Sequence, residues 1–298
     1  MQHIKAMNYY LIDGYNMAFR SFYAMPALTR ADGLPTGALH AFFAGLIKLC
    51  SRDTPHKTAV FFDKGGSKRH RETYADYKAN RAEMPEDLRA QMPAILELCA
   101  LMGFCVKSIE GIEADDLLAS AAEKLASPEN QIFLVSSDKD FAQLVRPGVK
   151  QLLPPQKASL DWRELDGVGV RLKFGVSPNQ IPDFLALVGD SADNIPGLEG
   201  VGPKTAAKWL KDFGNLESIM RRPTWIKPEK FQKIVAESGE LLRRNLDLVT
   251  LDRNVELGEL KFADPDFAGL EKFLQSMEMK RSLLTLKNFA LKQYQTNL

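Results

Sequence analysis

The fold class is decided by three stretches of the sequence, NYYLID (8–13), TAVFFD (58–63) and IFLVSSD (132–138). Each is a short apolar run that reaches an aspartate, which is typical of a buried β-strand that ends at a polar edge. Amphipathic stretches that predict helices alternate with these runs, at about 37–51, 85–102 and 114–126. The alternation predicts an α/β fold, in which a mostly parallel central sheet carries helices on both faces.

Acidic residues follow the predicted strands, and Asp13, Asp63 and Asp138 stand at the strand ends. Ligands of parallel sheets bind beyond the carboxyl ends of the strands, so we expect these three side chains to share one rim. Six further acids stand in short clusters, and they are Glu113, Asp115, Asp116, Asp140, Asp190 and Asp193. Carboxylates in one cleft repel one another unless a cation neutralises them, and Mg²⁺ prefers such oxygen ligands. The nine acids therefore predict a metal-dependent enzyme that acts on phosphate esters.

Two of the acidic clusters also have an ordinary structural explanation. GIEADDLLA (111–119) and SSDKDFAQL (136–144) each open a predicted helix. Acidic residues in a first helical turn interact favourably with the helix dipole, and Ser137 or Asp138 would serve as a cap. Neither motif alone decides between a structural and a functional role.

The pattern changes beyond about residue 175, where helices are joined by Pro and Gly turns. These helices are predicted at 178–188, 204–213, 215–221, 228–237, 239–249, 265–276 and 279–292. We therefore divide the chain into an α/β core over residues 1–175 and a helical region over residues 176–298.

The stretch GDSADNIPGLEGVGPKTAAKWL (189–210) predicts a helix–hairpin–helix at about 190–213. Asp190 and Asp193 would share one face if they are helical. The stretch is not a P-loop, because Pro203 separates Gly202 from Lys204 and no strand precedes it. Its glycines permit a tight turn with exposed N–H groups, and the helix start beside Lys204 would face a DNA phosphate.

A long charged segment, KGGSKRHRETYADYKANRAEM (64–84), joins the second predicted strand to the next helix. Its simplest interpretation is a solvated surface, although connections of this length are often functional. Beside a metal cleft, Lys78 and Arg81 could engage a scissile phosphate, and Tyr77 could stack on a base. His40 and His70 lack a Cys or His partner at ligand spacing, so we interpret them as structural.

The composition is that of an ordinary globular protein, with a net charge of +1 and 45% hydrophobic residues. The three cysteines lack framework or metal-binding spacing, which indicates reduced, buried thiols. No apolar run approaches the ~20 residues of a membrane helix, so we expect no membrane association and a cytoplasmic location.

Six motifs together resemble the 5′-nuclease (flap endonuclease) superfamily, and in particular the 5′→3′ exonuclease domain of bacterial DNA polymerase I. They are LIDGYNMAFR (11–20), FFD (61–63), YADYKANR (74–81), GIEADD (111–116), SSDKD (136–140) and GDSADNIPGLEGVGPKTA (189–206). The resemblance covers the chain from about residue 9 to at least residue 250. The chain lacks the proofreading and polymerase regions of such a polymerase, which leaves open a free-standing nuclease or an excised domain.

The resemblance implies roles for individual residues. The first metal site matches Asp13, Asp63, Glu113, Asp115 and Asp116, and the second matches Asp138, Asp140, Asp190 and Asp193. Residues 64–90 resemble a helical arch or clamp over the active site, in which Lys78 and Arg81 position the scissile phosphate. The hairpin resembles a duplex-binding element that uses Gly200, Gly202, Lys204 and Thr205, with Tyr77, Lys78 and Arg81 as further DNA contacts. Backbone carbonyls there, matched by Gly197 and Val201, would hold a K⁺ ion.

The sequence therefore predicts a 5′→3′ exonuclease and flap endonuclease of replication and repair, with Lys78, Arg81 and Asp115 as its catalytic residues. Two or more Mg²⁺ or Mn²⁺ ions would serve as cofactors. We expect a monomer in the bacterial cytoplasm, associated with the nucleoid, that acts on flapped or nicked DNA (RNA-primed DNA included), with a DNA polymerase in trans as a possible partner. Two alternatives stay open: a catalytically inactive helix–hairpin–helix DNA-binding module, and a small-molecule phosphohydrolase. The preferred substrate among flap, nick, gap and RNA primer is also open.

Overall fold

The computed structural model describes residues 7–53, 56–155 and 161–296, and side chains up to Leu291. The domain predicted from residue 1 and the helical region predicted to residue 298 therefore begin and end outside the described residues. Among the described helices, none combines the length and apolar character that crossing a bilayer requires.

A six-stranded sheet forms the centre of the molecule, with the strand order β3-β2-β1-β4-β5-β6. Its strands are β1 (Asn8–Asp13), β2 (His56–Phe61), β3 (Cys105–Lys107), β4 (Gln131–Val135), β5 (Val149–Leu153) and β6 (Arg163–Leu165). All neighbours pair in parallel except β5 and the edge strand β6, which are antiparallel. The predicted α/β fold with a mostly parallel sheet is confirmed.

Helices cover both faces of this sheet. They are α1 (Gly14–Ala24), α2 (Gly37–Cys50), α3 (Lys68–Thr73), α4 (Glu86–Arg89), α5 (Met92–Leu101) and α6 (Ala114–Leu125). Alternate residues of β1 point to opposite faces, so Tyr10 and Ile12 enter the core under α2 and α5 while Leu11 enters the core under α6. Burial on both faces explains why the strands are continuously apolar.

The second half of the chain is helical, as predicted. It contains α7 (Gly167–Phe174), α8 (Ile181–Val188), α9 (Pro203–Phe213), α10 (Leu216–Arg221), α11 (Gln232–Glu237), α12 (Gly239–Val249), α13 (Phe267–Ser276) and α14 (Lys280–Thr296). Helices α8 to α12 share a core around the buried Trp209. Helices α13 and α14 instead bury Phe273 and Phe289 in the core with α2 and α5. The division at residue 175 is therefore incomplete, because these last two helices pack on the α/β core.

Several predicted boundaries shift. The helix predicted over 85–102 is two helices, α4 and α5, because Pro93 lacks the N–H that a continuous helix needs and begins a new one. The strands β2 and β4 end before Asp63 and Asp138, which lie in the loops just beyond. The segment 64–90 predicted as a helical arch is helical only in α3 and α4, and turns and irregular backbone occupy the residues between.

The helix–hairpin–helix differs from its prediction in its first part. Helix α8 ends at Val188, and Asp190 and Asp193 lie in a short two-stranded turn, β7 (Gly189–Asp190) and β8 (Ile195–Pro196), with a 3₁₀ turn between. The helix cannot continue, because Gly189 has a φ of 80° and Asn194 a φ of 58°. Asp190 and Asp193 therefore do not share a helical face.

Two glycines hold this turn together. A Cβ on Gly189 would lie 2.3 Å from the backbone nitrogen of Gly197, and a Cβ on Gly197 would lie 2.2 Å from the carbonyl oxygen of Val188. Only glycine fits such a close backbone crossing. The crossing connects the acidic turn at residues 190–193 to the hairpin that leads into α9.

Candidate active site

The cleft at the carboxyl ends of the central strands begins at Asp13. This aspartate is the last residue of β1 and caps α1, since its Oδ1 accepts a hydrogen bond from the backbone nitrogen of Asn16 at 3.0 Å. Its Oδ2 accepts a hydrogen bond from Ser136 Oγ, also at 3.0 Å. A cap that joins β1 directly to α1 leaves no loop, so Asp13 is fixed at the rim.

Four predicted ligands line one cleft of about 640 Å³, and they are Asp13, Asp63, Asp115 and Asp138. Asp63 Oδ1 accepts a hydrogen bond from the backbone nitrogen of Ala114 at 2.6 Å, which places this acid at the start of α6. Asp115 lies in the first turn of the same helix. Four segments separated in sequence thus converge on one site: the end of β1, the loops after β2 and β4, and the first turn of α6. The strand-end pattern predicts the first three of them.

Burial and mutual repulsion destabilise the negative charge of the acids in the cleft. Burial raises the pKa of Asp13 to about 7, and the charges of Asp138 and Asp63 act in the same direction. Burial, together with Asp13 and Asp138, also raises the pKa of Asp115 well above its ordinary value. Raised pKa values of this kind mark a site in which a cation would be stabilising.

A second group of acids consists of Asp140, Asp190 and Asp193, whose carboxylate oxygens lie within 4.8 Å of one another. All three are buried, and Asp140 Oδ1 has no hydrogen-bond partner among the described residues. A buried carboxylate oxygen without a donor is costly unless a cation binds it. This group therefore fits a hard divalent ion with oxygen ligands.

Asp138 lies between the two groups. It was assigned to the second metal site, but it lines the first cleft. Burial raises the pKa of Asp138, and the charges of Asp193 and Asp190 raise it further. Asp138 therefore acts electrostatically on both groups.

Glu113 is engaged by other side chains. Its Oε2 lies 2.8 Å from Lys78 Nζ, accepts a hydrogen bond from the Tyr77 hydroxyl at 3.0 Å, and lies 3.7 Å from His70 Nδ1. Burial alone would raise the pKa of Glu113, but the contacts with His70 and Lys78 lower it to about 2. Glu113 is therefore an ionised carboxylate that is already paired with a cation.

Asp116 differs most from its predicted place. Its Oδ1 accepts a hydrogen bond from the backbone nitrogen of Asp252 at 2.8 Å, and it is not among the residues that line the cleft. Asp115 and Asp116 are adjacent on α6, and adjacent helical residues point in directions about 100° apart. Only Asp115 of this pair can face the cleft in this arrangement.

The segment around Lys78 packs directly against the acids. Lys78 Nζ lies 3.8 Å from Asp193 Oδ2, and Arg81 donates a hydrogen bond to Asp193 Oδ1 at 2.5 Å. The backbone nitrogen of Lys78 also donates to the carbonyl of Asp193 at 3.0 Å. Both basic residues line the cleft, where they pair with the acids.

The stacking role predicted for Tyr77 is wrong for this arrangement. Tyr77 is only 7% exposed and its ring packs edge-on to His70 at a centroid distance of 4.9 Å. No ring face is available to a base. Its structural role, holding Glu113, could not be read from the sequence because Glu113 lies 36 residues away.

The hairpin residues form a separate surface. Gly200, with a φ of 71°, and Lys204 are exposed, and Gly202 precedes the first turn of α9, where Pro203 occupies the first position. Thr205 also lies in this first turn. Of the two residues expected to hold K⁺, Gly197 belongs to the glycine crossing and Val201 is buried. None of these residues lines the cleft.

Three residues near the acids were not predicted. Lys139 Nζ lies 2.7 Å from Asp190 Oδ1, and Arg20 and Tyr23 line the cleft along α1. A signal was present for the latter two, because α1 starts directly after Asp13 and its residues at helical spacing follow the same face. Lys139 lies in sequence between two predicted ligands.

Comparison with known proteins is consistent with this geometry. Residues 8–175 match the family model described as "5'-3' exonuclease, N-terminal resolvase-like domain", and residues 176–268 match "5'-3' exonuclease, C-terminal SAM fold". The chain is 39% identical to a "5'-3' exonuclease" of Aquifex aeolicus, over 92% of this chain and 93% of that protein. It is 38% identical to a thermostable DNA polymerase I of Thermus thermophilus, but spans only 32% of that relative's length.

Solved structures share the fold. A T5 5′-exonuclease with bound divalent metal ions (zinc) superposes with a TM-score of 0.70 at 24% identity, covering 95% of this chain and 98% of that one. The catalytic core of Rad2 in complex with DNA substrate gives a TM-score of 0.62 at 17% identity, covering 96% and 93%. At these identities the likeness concerns the fold.

Proposed function

Because the chain belongs to the 5′-3′ exonuclease family, we propose that it is a divalent-metal-dependent 5′→3′ exonuclease and flap endonuclease that hydrolyses DNA near single-strand/duplex junctions. The observation that carries this proposal is the convergence of Asp13, Asp63, Asp115 and Asp138 on one cleft, beside the group of Asp140, Asp190 and Asp193.

The acids would hold two Mg²⁺ or Mn²⁺ ions, one in the cleft of Asp13, Asp63, Asp115 and Asp138 and one at Asp140, Asp190 and Asp193. Such ions activate a water and stabilise the attacking and leaving oxygens of an in-line displacement. The remaining chemistry belongs to the side chains of the protein.

Lys78 and Arg81 would contact the scissile phosphate. Both line the cleft, and both pair with acids there. A phosphate that enters the cleft would compete for these cations, and their charge would stabilise the negative charge of the transition state. Transfer of Lys78 from Glu113 to the phosphate would free Glu113 for the first ion, which reconciles its present pairing with its predicted role.

The hairpin would hold the duplex part of the substrate. The exposed Gly200 and the start of α9 beside Lys204 and Thr205 offer backbone N–H groups and positive charge to a phosphate. We also propose a K⁺ ion on the carbonyls of Gly197 and Val201. Affinity for flap DNA should fall as salt rises, because phosphate contacts release counterions.

The setting in the cell is part of the same proposal. We propose a monomer in the bacterial cytoplasm, associated with the nucleoid, that removes flaps or primers, with a DNA polymerase acting in trans. A polymerase partner is suggested by the relatives in which a matching region forms about a third of a DNA polymerase I.

The test is cleavage of a 5′-labelled flap DNA with Mg²⁺, with Mn²⁺ and with EDTA, beside a generic phosphomonoester. We expect metal-dependent cutting of the flap and no hydrolysis of the phosphomonoester. Asp115→Asn should abolish cutting and leave DNA binding intact, because it removes a cleft carboxylate without touching the hairpin. The control is Asp161→Asn, which removes a highly exposed carboxylate.

Each outcome selects one function. Cutting by Asp115→Asn at a near wild-type rate would contradict the proposed site. DNA binding without any cutting would indicate the inactive binding module, and hydrolysis of the phosphomonoester alone would indicate the small-molecule phosphohydrolase.

A further inference from the structure

Lys139 lies inside the second acidic group. Its neighbours in sequence are Asp138 and Asp140, and its Nζ lies 2.7 Å from Oδ1 of Asp190. The lysine side chain is 36% exposed, whereas that of Asp190 is 5% exposed. A half-buried ammonium group is thus in direct contact with one of the three carboxylates that fit a divalent ion.

The three carboxylates are not equivalent in their partners. Asp190 pairs with Lys139, and Asp193 pairs with Arg81. Asp140 Oδ1 has no hydrogen-bond partner among the described residues. Two of the three acids therefore already have a positive partner supplied by the chain, and a divalent ion must displace or share it.

Hydrogen bonds hold the backbone around Lys139, whereas its side chain is partly exposed. The backbone nitrogen of Asp140 donates to Asp138 Oδ1 at 3.0 Å, and Gln151 Nε2 donates to the carbonyl of Asp138 at 2.5 Å. The exposed part of the lysine side chain gives the ammonium group a path to solvent. Release of the ammonium group would therefore break its ion pair with Asp190 and leave the positions of the ligands unchanged.

We propose that Lys139 is a positioning residue that competes with the second divalent ion for Asp190. While no ion is bound, it keeps the buried carboxylate paired and the acidic group in place. When the ion binds, the ammonium group leaves Asp190, so the lysine lowers the affinity of this site for the ion. This inference rests on the proposed function, because it assumes that Asp140, Asp190 and Asp193 bind the second ion.

Loss of the Lys139 charge should have two opposing effects, and both follow from electrostatics. A buried carboxylate that loses its partner is destabilised, which would weaken the metal-free protein. The same loss removes a positive charge beside the ion and a competitor for its ligand, which would strengthen ion binding. A lysine that acts only as packing would produce the first effect without the second.

The experiment compares Lys139→Met and Lys139→Arg with wild type, and Lys150→Met is the matched control. Lys150 also makes a 2.7 Å ion pair and is 34% exposed, but its partner Glu164 lies on the edge strand β6. Binding of Mn²⁺ to the DNA-free protein is measured by the loss of the electron paramagnetic resonance signal of free Mn²⁺. Thermal unfolding is followed with EDTA and with Mn²⁺.

We expect the weaker class of Mn²⁺ sites to tighten by about tenfold in Lys139→Met, which corresponds to about 1.4 kcal/mol. The tighter class should stay within about twofold, and Lys139→Arg should resemble wild type because the competing charge is retained. Lys139→Met should have a lower Tm than wild type in EDTA, and its Tm should rise more than that of wild type when Mn²⁺ is added.

Two results would overturn the inference. Equal or weaker Mn²⁺ affinity in Lys139→Met relative to Lys150→Met would show that Lys139 does not compete with the ion. A wild-type protein that binds no Mn²⁺ would overturn the proposed function and this inference with it, whereas a single class of sites with normal flap cleavage would overturn this inference alone.

Discussion

At the scale of single residues, burial affects the charges of the individual acids of the site differently. Asp13 is buried, and its pKa is raised to about 7. Glu113 is the opposite case, because contacts with His70 and Lys78 overcome the effect of burial and lower its pKa to about 2. A cation would therefore stabilise ionised Asp13, whereas Glu113 is already paired with Lys78.

This difference predicts how the stability of the metal-free protein depends on pH. Since the folded pKa of Asp13 lies above its ordinary value of 3.8, the folded state binds more protons than the unfolded state between about pH 4 and 7. The free energy of unfolding in EDTA should therefore fall as pH rises through this window. Asp13→Asn should reduce the fall and raise stability at pH 8 by about 1 to 4 kcal/mol.

The measurement is urea unfolding in EDTA between pH 4 and 8. Asp161→Asn is the control, because its highly exposed carboxylate should leave the slope unchanged. If the free energy of unfolding of Asp13→Asn depends on pH as that of wild type does, the charge of Asp13 is not destabilised in the folded protein.

Tyr77 provides a second prediction at this scale. Tyr77→Phe removes the hydroxyl that donates to Glu113 but keeps the ring beside His70. We expect the free energy of unfolding to fall by about 1 to 2 kcal/mol, because Glu113 loses a hydrogen bond in a buried site. Equal stability of the variant and wild type, measured by chemical denaturation, would mean that the hydroxyl does not support Glu113.

At the scale of elements, the acidic turn at residues 190–193 and the hairpin before α9 are connected by the crossing of Gly189 and Gly197. Gly197→Ala would place a Cβ 2.2 Å from the carbonyl oxygen of Val188, a contact that requires the backbone to move. We expect a loss of stability of about 3 kcal/mol or more. Affinity for both Mn²⁺ and flap DNA should fall, because the crossing positions Asp190 on one side and the hairpin on the other.

Gly202→Ala is the matched control for this crossing. Apart from its two neighbours in the chain, no described residue has an atom within 4 Å of a Cβ placed on Gly202, and its φ of −95° suits any residue. This variant should fold with wild-type stability and bind Mn²⁺ normally. Thermal unfolding and Mn²⁺ binding distinguish the two variants, and identical behaviour in both measurements would contradict the connection. Fluorescence anisotropy of labelled flap DNA compares Gly197→Ala with wild type, because Gly202 is itself an expected DNA contact.

Helices, strands and the acids at strand ends could be predicted from the sequence, because each depends on residues that are close together in the chain. The apolar run of β1 ends at Asp13, and the parallel sheet then places it on the rim. Contacts between distant segments could not be predicted in this way. The hydrogen bond from Asp252 turns Asp116 away from the cleft, and the contact with Glu113 buries Tyr77. In both cases a local motif was overridden by a partner far away in the chain.

At the scale of the whole molecule, helices from the second half of the chain pack in the same hydrophobic core as its first strand. Phe273 of α13 is buried in the same core as Tyr10 of β1 and Leu39 of α2. Family resemblance gave no reason to expect this, and the helical periodicity of residues 265–276 does not say which core the helix joins. The packing of α13 and α14 is a property of the assembled fold.

This packing predicts that α13 stabilises the nuclease core itself. Phe273→Ala should lower the free energy of unfolding by about 3 to 5 kcal/mol, because it leaves a cavity in the core under β1. Leu284→Ala is the control, since Leu284 of α14 is 64% exposed. Hydrogen exchange should show loss of protection in β1 and α2 for Phe273→Ala, and loss confined to α13 and α14 would contradict the shared core.

The return of α13 and α14 to the first core also has a consequence for biosynthesis. A ribosome that has synthesised the acids of both groups, up to Asp193, has not yet synthesised Phe273 or Phe289, which are buried in the hydrophobic core with β1 and α2. On the ribosome, this core is therefore incomplete until α13 and α14 have been synthesised. Folding of the nascent α/β core should thus lag behind synthesis of its reactive groups by the stretch of chain that separates Asp193 from Phe289.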